Sequence, residues 1–211
     1  PDALGADIPA ELSFLGGVQI SAAGAQFNES LVLSMPKPGD LPADAQILIA
    51  RLTELGNTSR LVLVALGRVV NDRIESSTQI AGAPSALEGI RTTGRYVFLR
   101  SASPVGFATG LVRAVDGAAF AGALVSSNTL PLFALSGAAG QYVAAARQGA
   151  ATLLAVDTVR NDTGSAPAMI AVNAAAPLDL QLAAQPPAVT TVSPANAATN
   201  VPLSNPIVIA F

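Results

Sequence analysis

Any chemistry in this chain has to be done without imidazole or thiol, because its 211 residues include no histidine and no cysteine. Disulfides, thiolate nucleophiles and the commonest transition-metal ligands are excluded together. A nucleophile would have to be a Ser or Thr activated by Lys37, the sole lysine, or by a carboxylate; otherwise a carboxylate pair would do the acid–base work. Lys37 stands between Pro36 and Pro38, ahead of Gly39-Asp40, which reads as an exposed turn. The carboxylates are scattered singly, with no spacing that a strand would bring onto one face. The expectation is a protein that is not an enzyme and needs no cofactor.

Calcium needs several clustered oxygens. The best clusters are Asp157 with Asn161, Asp162 and Thr163, and Asn71 with Asp72. Asn161-Asp162-Thr163-Gly164 is also a β-turn by backbone preference alone. The turn is therefore the expected reading, and calcium at Asp157, Asn161 and Asp162 is the alternative. Recognition of sugars or peptides by stacking would need exposed aromatics, yet the chain has no Trp and only two Tyr. Tyr96 and Tyr142 both fall inside strand patterns, where a buried ring with a hydroxyl at the core's edge is expected. A net charge of -3 gives no basic footprint for nucleic acid. Asn-x-Ser/Thr triplets at Asn28, Asn57 and Asn161 fall in loop-like composition and are not read as glycan sites.

The elements that must carry these residues are strands. Short apolar runs separated by Gly, Pro, Asn and Asp predict an all-β chain with antiparallel pairs and tight turns. In residues 1–103 the runs are Val18 to Ser21, Leu31 to Met35, Ile47 to Leu52, Leu61 to Leu66 and Tyr96 to Leu99. The clearest hairpin is Ile47 to Leu66, closed at Gly56-Asn57, and a polar loop follows from Ser76 to Thr93. A small-residue stretch, Ser101-Ala102-Ser103-Pro104, marks a boundary. Residues 104–184 offer about seven short strands, the count expected of an Ig-like sandwich. In the last of them Leu178, Leu180 and Leu182 alternate with Asp179 and Gln181, so the leucines should point inward. Gln185-Pro186-Pro187 opens a third piece, residues 185–211. No run approaches the roughly 20 apolar residues of a membrane helix.

Three resemblances are carried by particular motifs. Thr109-Gly110-Leu111-Val112 leading to Asp116-Gly117, then Ala121-Gly122-Ala123-Leu124-Val125, Gly140-Gln141-Tyr142 and Gly149 before Thr152-Leu153, resembles the carboxypeptidase regulatory-like domains of the prealbumin-like and Cna-B-like kind. The resemblance implies a β-sandwich over residues 104–184, with Gly110, Gly117, Gly122, Gly140, Tyr142 and Gly149 as structural positions. Some Cna-B-like relatives carry a Lys–Asn isopeptide crosslink, and residues 104–184 contain no lysine to form one. Val192-Ser193-Pro194 running into Ala198-Thr199-Asn200-Val201-Pro202 resembles the opening of bacterial Ig-like domains of surface-layer and adhesin chains. Gly17-Val18-Gln19-Ile20, Leu31 to Pro36 and Gly94 to Phe98 are faintly similar to ZU5-like domains. That group's self-cleaving members use a histidine, which is missing here.

Together these imply tandem Ig-like or prealbumin-like sandwiches in an exported, extracellular or cell-surface bacterial protein. The expected role is structural or adhesive, as stalk, adhesin or filament subunit. An accessory binding module of a secreted enzyme or outer-membrane transporter is the alternative. Partners would be neighbouring domains, copies of the chain, or a surface or protein ligand, with no nucleic acid and no membrane span. Pro186, Pro187 and Pro194 would set the joint. Ile207, Val208, Ile209 and Phe211 would dock or add as a strand elsewhere, since a lone apolar strand is costly to leave in water. A chain starting at Pro1 reads as an excised or processed piece, with any signal outside it.

Overall fold

The computed structural model describes residues 8–22, 26–42, 44–55, 58–84, 86–185, 191–195, 198–199, 201–202 and 207–210, and among these there is no helix. The strands are β1 (Leu12–Ile20), β2 (Gln26–Leu31), β3 (Ser34–Pro36), β4 (Ile47–Leu55), β5 (Thr58–Val70), β6 (Arg73–Ser77), β7 (Ile90–Thr92) and β8 (Gly94–Ser101). They continue as β9 (Val105–Arg113), β10 (Leu124–Ser127), β11 (Ala134–Leu135), β12 (Gln141–Arg147), β13 (Gly149–Val156) and β14 (Thr163–Ile170). Last come β15 (Ala175–Pro177), β16 (Leu180–Gln181), β17 (Thr191–Ser193) and β18 (Val208–Ala210). The fold is all-β, as the sequence predicts.

β1-β8-β4-β5-β6-β3 form a six-stranded sheet, and β2 pairs with β7 beside it. The expected Ile47 to Leu66 hairpin is the β4–β5 pair, though Gly56-Asn57 lies outside the described residues. Leu31 to Met35, expected as one strand, instead ends β2 and begins β3, with Val32 and Leu33 between them. β6 has no apolar run to announce it. It forms because Asn71 and Asp72, at φ 47° and 58°, close a two-residue hairpin with β5. Positive φ at both central residues is the type I′ geometry that suits strand twist, and Asn and Asp tolerate it.

The remainder forms two more sheets, β11-β10-β13-β14 and a middle sheet in which β9 lies between β12 and β15, with β16 continuing along β9. β15 and β16 run parallel to β9, where antiparallel hairpins had been expected throughout. Close approach explains how this return is accommodated. A Cβ on Gly110 would lie 2.0 Å from the Leu178 carbonyl oxygen, and one on Gly106 would lie 1.9 Å from that of Ala171. Only glycine lets those backbones meet. Leu180 and Leu182 are buried and Asp179 and Gln181 exposed, as the alternation predicts.

The middle sheet is buried on both faces. Val105 and Phe107 of β9 and Val143 and Ala145 of β12 pack with Leu48, Ala50, Leu61, Leu63, Val97 and Leu99 of the six-stranded sheet. The alternate residues, Ala108 and Val112 of β9 with Tyr142, Ala144 and Ala146 of β12, pack with Val125, Leu153, Ala155 and Ile170. Strands buried on both sides usually read as continuous apolar runs, whereas β9 and β12 carry small residues there, Gly106, Ala108 and Gly110 on one and Ala144 to Ala146 on the other. The six-stranded sheet has a second covered face, where Ile47, Ile49, Tyr96 and Phe98 meet Leu41, Ile74 and Ile90.

At the boundary expected at Ser101 to Pro104 the chain passes from β8 of the six-stranded sheet to β9 of the middle sheet, and residues of both sheets share one apolar cluster. Polar ties reinforce it. The Gln46 amide donates to the Val105 carbonyl at 2.7 Å and accepts from the Val105 N–H at 2.6 Å, mimicking a strand partner. Leu63 N–H donates to the Phe133 carbonyl and Phe133 N–H to the Leu61 carbonyl, sewing the 130–135 segment to β5. Arg60 lies over the Phe133 ring, 4.6 Å from its centroid. Arg147 pairs with Glu11 at 2.6 Å.

Candidate functional site

The polar loop between β6 and β7 is where a site forms. Its apolar residues Ile80 and Leu87 are drawn into the shared cluster, which pins the loop across the six-stranded sheet. The loop lines a cavity on each side. One, of about 340 Å³, lies between Gln46, Arg68, Gln79, Ile80, Phe107 and Asn173. Several of its polar groups serve one another, Gln46 bonding Val105 and Asn173 and Arg68 donating to the Gln79 carbonyl, and Asp44 also lines it. That cavity is a structural seam.

The larger cavity, about 510 Å³, is a cleft with walls from both sides of residue 103. Arg51 on β4, Leu63 on β5, Leu87 and Glu88 of the loop and Arg91 on β7 form one wall. Ala134, Ser136, Gly137, Gln141, Tyr142 and Val143 form the other. A pocket of a few hundred cubic ångströms with apolar sides and a few converging polar groups is the usual form of a ligand site.

Arg51 is the best held of these polar groups. Its side chain is only 16% exposed, its Nε donates to Thr53 Oγ1 at 3.2 Å, and its Nη1 donates to Thr92 Oγ1 at 2.6 Å. Both of those partners are neutral. Glu88, the carboxylate among the described residues of the lining, forms a long ion pair with Arg51 at 3.8 Å, beyond hydrogen-bond reach, and is itself nearly half exposed. Arg91 donates to the Glu88 carbonyl of the loop at 3.1 Å and to the Asn28 carbonyl on β2, and its exposed side chain sits at the rim. On the far wall the Ser136 hydroxyl is committed to Phe120 and Ala123, and Gln141 is exposed, with its Oε1 accepting from the Ala139 N–H at 3.0 Å.

Tyr142 backs this wall and is almost fully buried. Its hydroxyl donates to the Leu178 carbonyl at 2.7 Å, tying β12 to the β15–β16 return across β9. Burial first, and the Asp179 charge second, push its ionisation well above the ordinary tyrosine value. Tyr96 is likewise buried, with its hydroxyl on the Thr92 carbonyl at 2.7 Å. Gly117, Gly122, Gly140 and Gly149 are at turns or strand starts with positive φ, between 78° and 110°.

The calcium alternative meets a competing use of the same oxygens. Asp157 is buried, and its Oδ1 accepts from the N–H groups of Val159 and Arg160. Asn161 sits at φ 61°, and the Asp157 N–H donates to the Asp162 carbonyl. That is the turn reading. Among the described residues no three acidic side chains gather where a metal could sit. Lys37 Nζ donates to the neighbouring Pro38 carbonyl, and its N–H to the Asp72 carbonyl, so the end of β3 is tied to the β5–β6 turn.

At the far end β17 and β18 pair with each other, with Val192 opposite Ile209. Val192, Ile207 and Val208 are exposed, and Pro194 follows β17. Pro186, Pro187 and Phe211 lie outside the described residues. The cleft residues Arg51, Glu88 and Arg91 escape a reading of the sequence. Arg51 and Arg91 are 40 positions apart on polar and strand-like stretches, and only the β4–β8 pairing and the pinned loop bring them together.

No family model matches the chain, and no curated protein matches it.

Proposed function

We propose that this chain is a non-catalytic structural or adhesive segment of a larger exported bacterial surface protein, serving as stalk, adhesin or filament subunit. The observation that carries the reading is the apolar cluster running from Leu12 of β1 through Phe107 of β9 to Ala145 of β12. Two stretches that resemble separate surface-protein domains are thereby locked into one body, which suits a part that transmits force or holds a spacing. The likeness of residues 104–184 to prealbumin-like domains, and of the last piece to adhesin-type Ig-like openings, supports the tandem-sandwich description and an extracellular setting.

The exposed β17–β18 ribbon supports association by strand addition. A two-stranded ribbon is marginal alone in water, and it gains stability when a further strand covers its edge. Residues 185–211 carry no charged side chain, so nothing electrostatic opposes pairing with a neighbour. Light scattering and electron microscopy of the purified chain over a range of concentrations test this. Concentration-dependent oligomers or filaments that vanish when Ile207 and Val208 become serine are the expected result. A monomer at every concentration, with no partner strand bound, removes the strand-addition part.

The cleft beside Arg51 favours a second reading, an accessory binding module attached to a secreted enzyme or transporter. Flanking sequence separates the two: further Ig-like repeats favour the stalk, and a catalytic or barrel segment favours the accessory module.

A further inference from the structure

We propose that the 510 Å³ cleft between the β6–β7 loop and β12 binds a carboxylate carried on a small, partly apolar ligand. The electrostatics of the cleft give the sign of the ligand. Two guanidinium groups, Arg51 and Arg91, face one carboxylate, Glu88. That carboxylate does not hydrogen-bond Arg51, which is mostly buried and rests on two threonine hydroxyls. The hydrogen bonds of this largely buried guanidinium go to neutral hydroxyls, and its ion pair with Glu88 is long, 3.8 Å, and made to a half-exposed carboxylate, so a better-placed carboxylate can compete for it through the planar guanidinium fork.

Shape gives the rest of the ligand. Leu63, Leu87 and Val143 are buried members of the shared core that also reach the cleft, so the floor is apolar. On the opposite wall the Gln141 Oε1 accepts from the Ala139 N–H at 3.0 Å, so it is the amide NH2 that is offered to a neutral acceptor. The volume accommodates a dipeptide or a single acidic sugar, within the ordinary range for small-ligand pockets. Peptide carboxylates and acidic saccharides share the chemistry that this cleft recognises. The site is independent of the stalk reading, since either a stalk or an accessory module could carry it.

The test is a titration of the isotope-labelled full chain, followed by its amide resonances. The probes are N-acetyl-alanyl-valine as free acid, the same dipeptide as its C-terminal amide, and glucuronate. Saturable shifts at Leu87, Glu88, Arg91 and Gln141 with at least one carboxylate probe are expected. The amide should bind about tenfold more weakly than the acid, the worth of a charge-assisted hydrogen bond. Response to the dipeptide alone assigns a peptide carboxylate, and response to glucuronate alone assigns a saccharide. Arg91→Gln should weaken binding about tenfold. Glu88→Gln, which removes the competing carboxylate from a half-exposed site, should tighten it about threefold. Silence of the cleft resonances to both carboxylates, equal binding of acid and amide, or an unchanged affinity in Glu88→Gln overturns the proposal.

Discussion

β9 and the β17–β18 ribbon each come after a stretch of small residues and proline, and they end in opposite surroundings. β9 enters directly from Ser103-Pro104 and is covered on both faces, with Val105 and Phe107 on one side and Ala108 and Val112 on the other. The ribbon leaves Val192, Ile207 and Val208 exposed. Proline and small residues mark where the chain changes direction. Whether a body ends there depends on what the following strand can bury. β9 alternates large and small side chains with glycines that admit a crossing backbone, so it can be enclosed, whereas among the described residues β18 pairs with β17 alone.

If this contrast is right, substitutions in β9 should be severe and those in the ribbon nearly silent. Gly110→Val places a branched side chain where the Leu178 carbonyl lies, so it should destabilise by more than about 4 kcal/mol in urea unfolding, or prevent folding. Phe107→Ala empties a site in the cluster that joins the sheets, and a loss of about 3–5 kcal/mol is expected. A loss below about 1 kcal/mol in either variant would break the comparison. Gln46→Ala removes both bonds to Val105 and should cost about 1–3 kcal/mol, since the Val105 groups lose their partner.

Tyr142→Phe sharpens the comparison through pH. Removing the hydroxyl leaves the Leu178 carbonyl short of a donor, a loss of about 1–2 kcal/mol at neutral pH. The folded protein holds this phenol neutral to higher pH than the unfolded chain does. Above the unfolded value, about 10, the unfolded state releases a proton that the native state retains, so stability falls as pH rises. Wild type should therefore lose stability above about pH 10 more steeply than Tyr142→Phe, and parallel curves would contradict that. Smallest of all, Val208→Ser should change stability of the main body by less than about 0.5 kcal/mol.

Local features were legible in the sequence. The β4–β5 hairpin and the inward leucines of the last strand both follow from periodicity and turn chemistry over a few residues. The features that organise the molecule were not. Pairing of β9 with β15 and β16 is parallel and joins residues nearly 70 positions apart, and no local pattern reports it. Burial of β9 and β12 on both faces hides behind Ala and Gly, which suit a tight core or a plain surface equally well. Arg51 and Arg91 look like ordinary surface charges until the pinned loop brings them to one cleft.

Hydrogen exchange under native conditions tests the shared core most directly, by comparing the opening free energies of amides on either side of residue 103. Amides at the centres of β4 and β8 should open with the same free energy as those of β9 and β12, and all should fall together on adding low denaturant. Two well-separated values, with the first sheet opening while β9 and β12 stay closed, would mean that the chain is two bodies in contact rather than one.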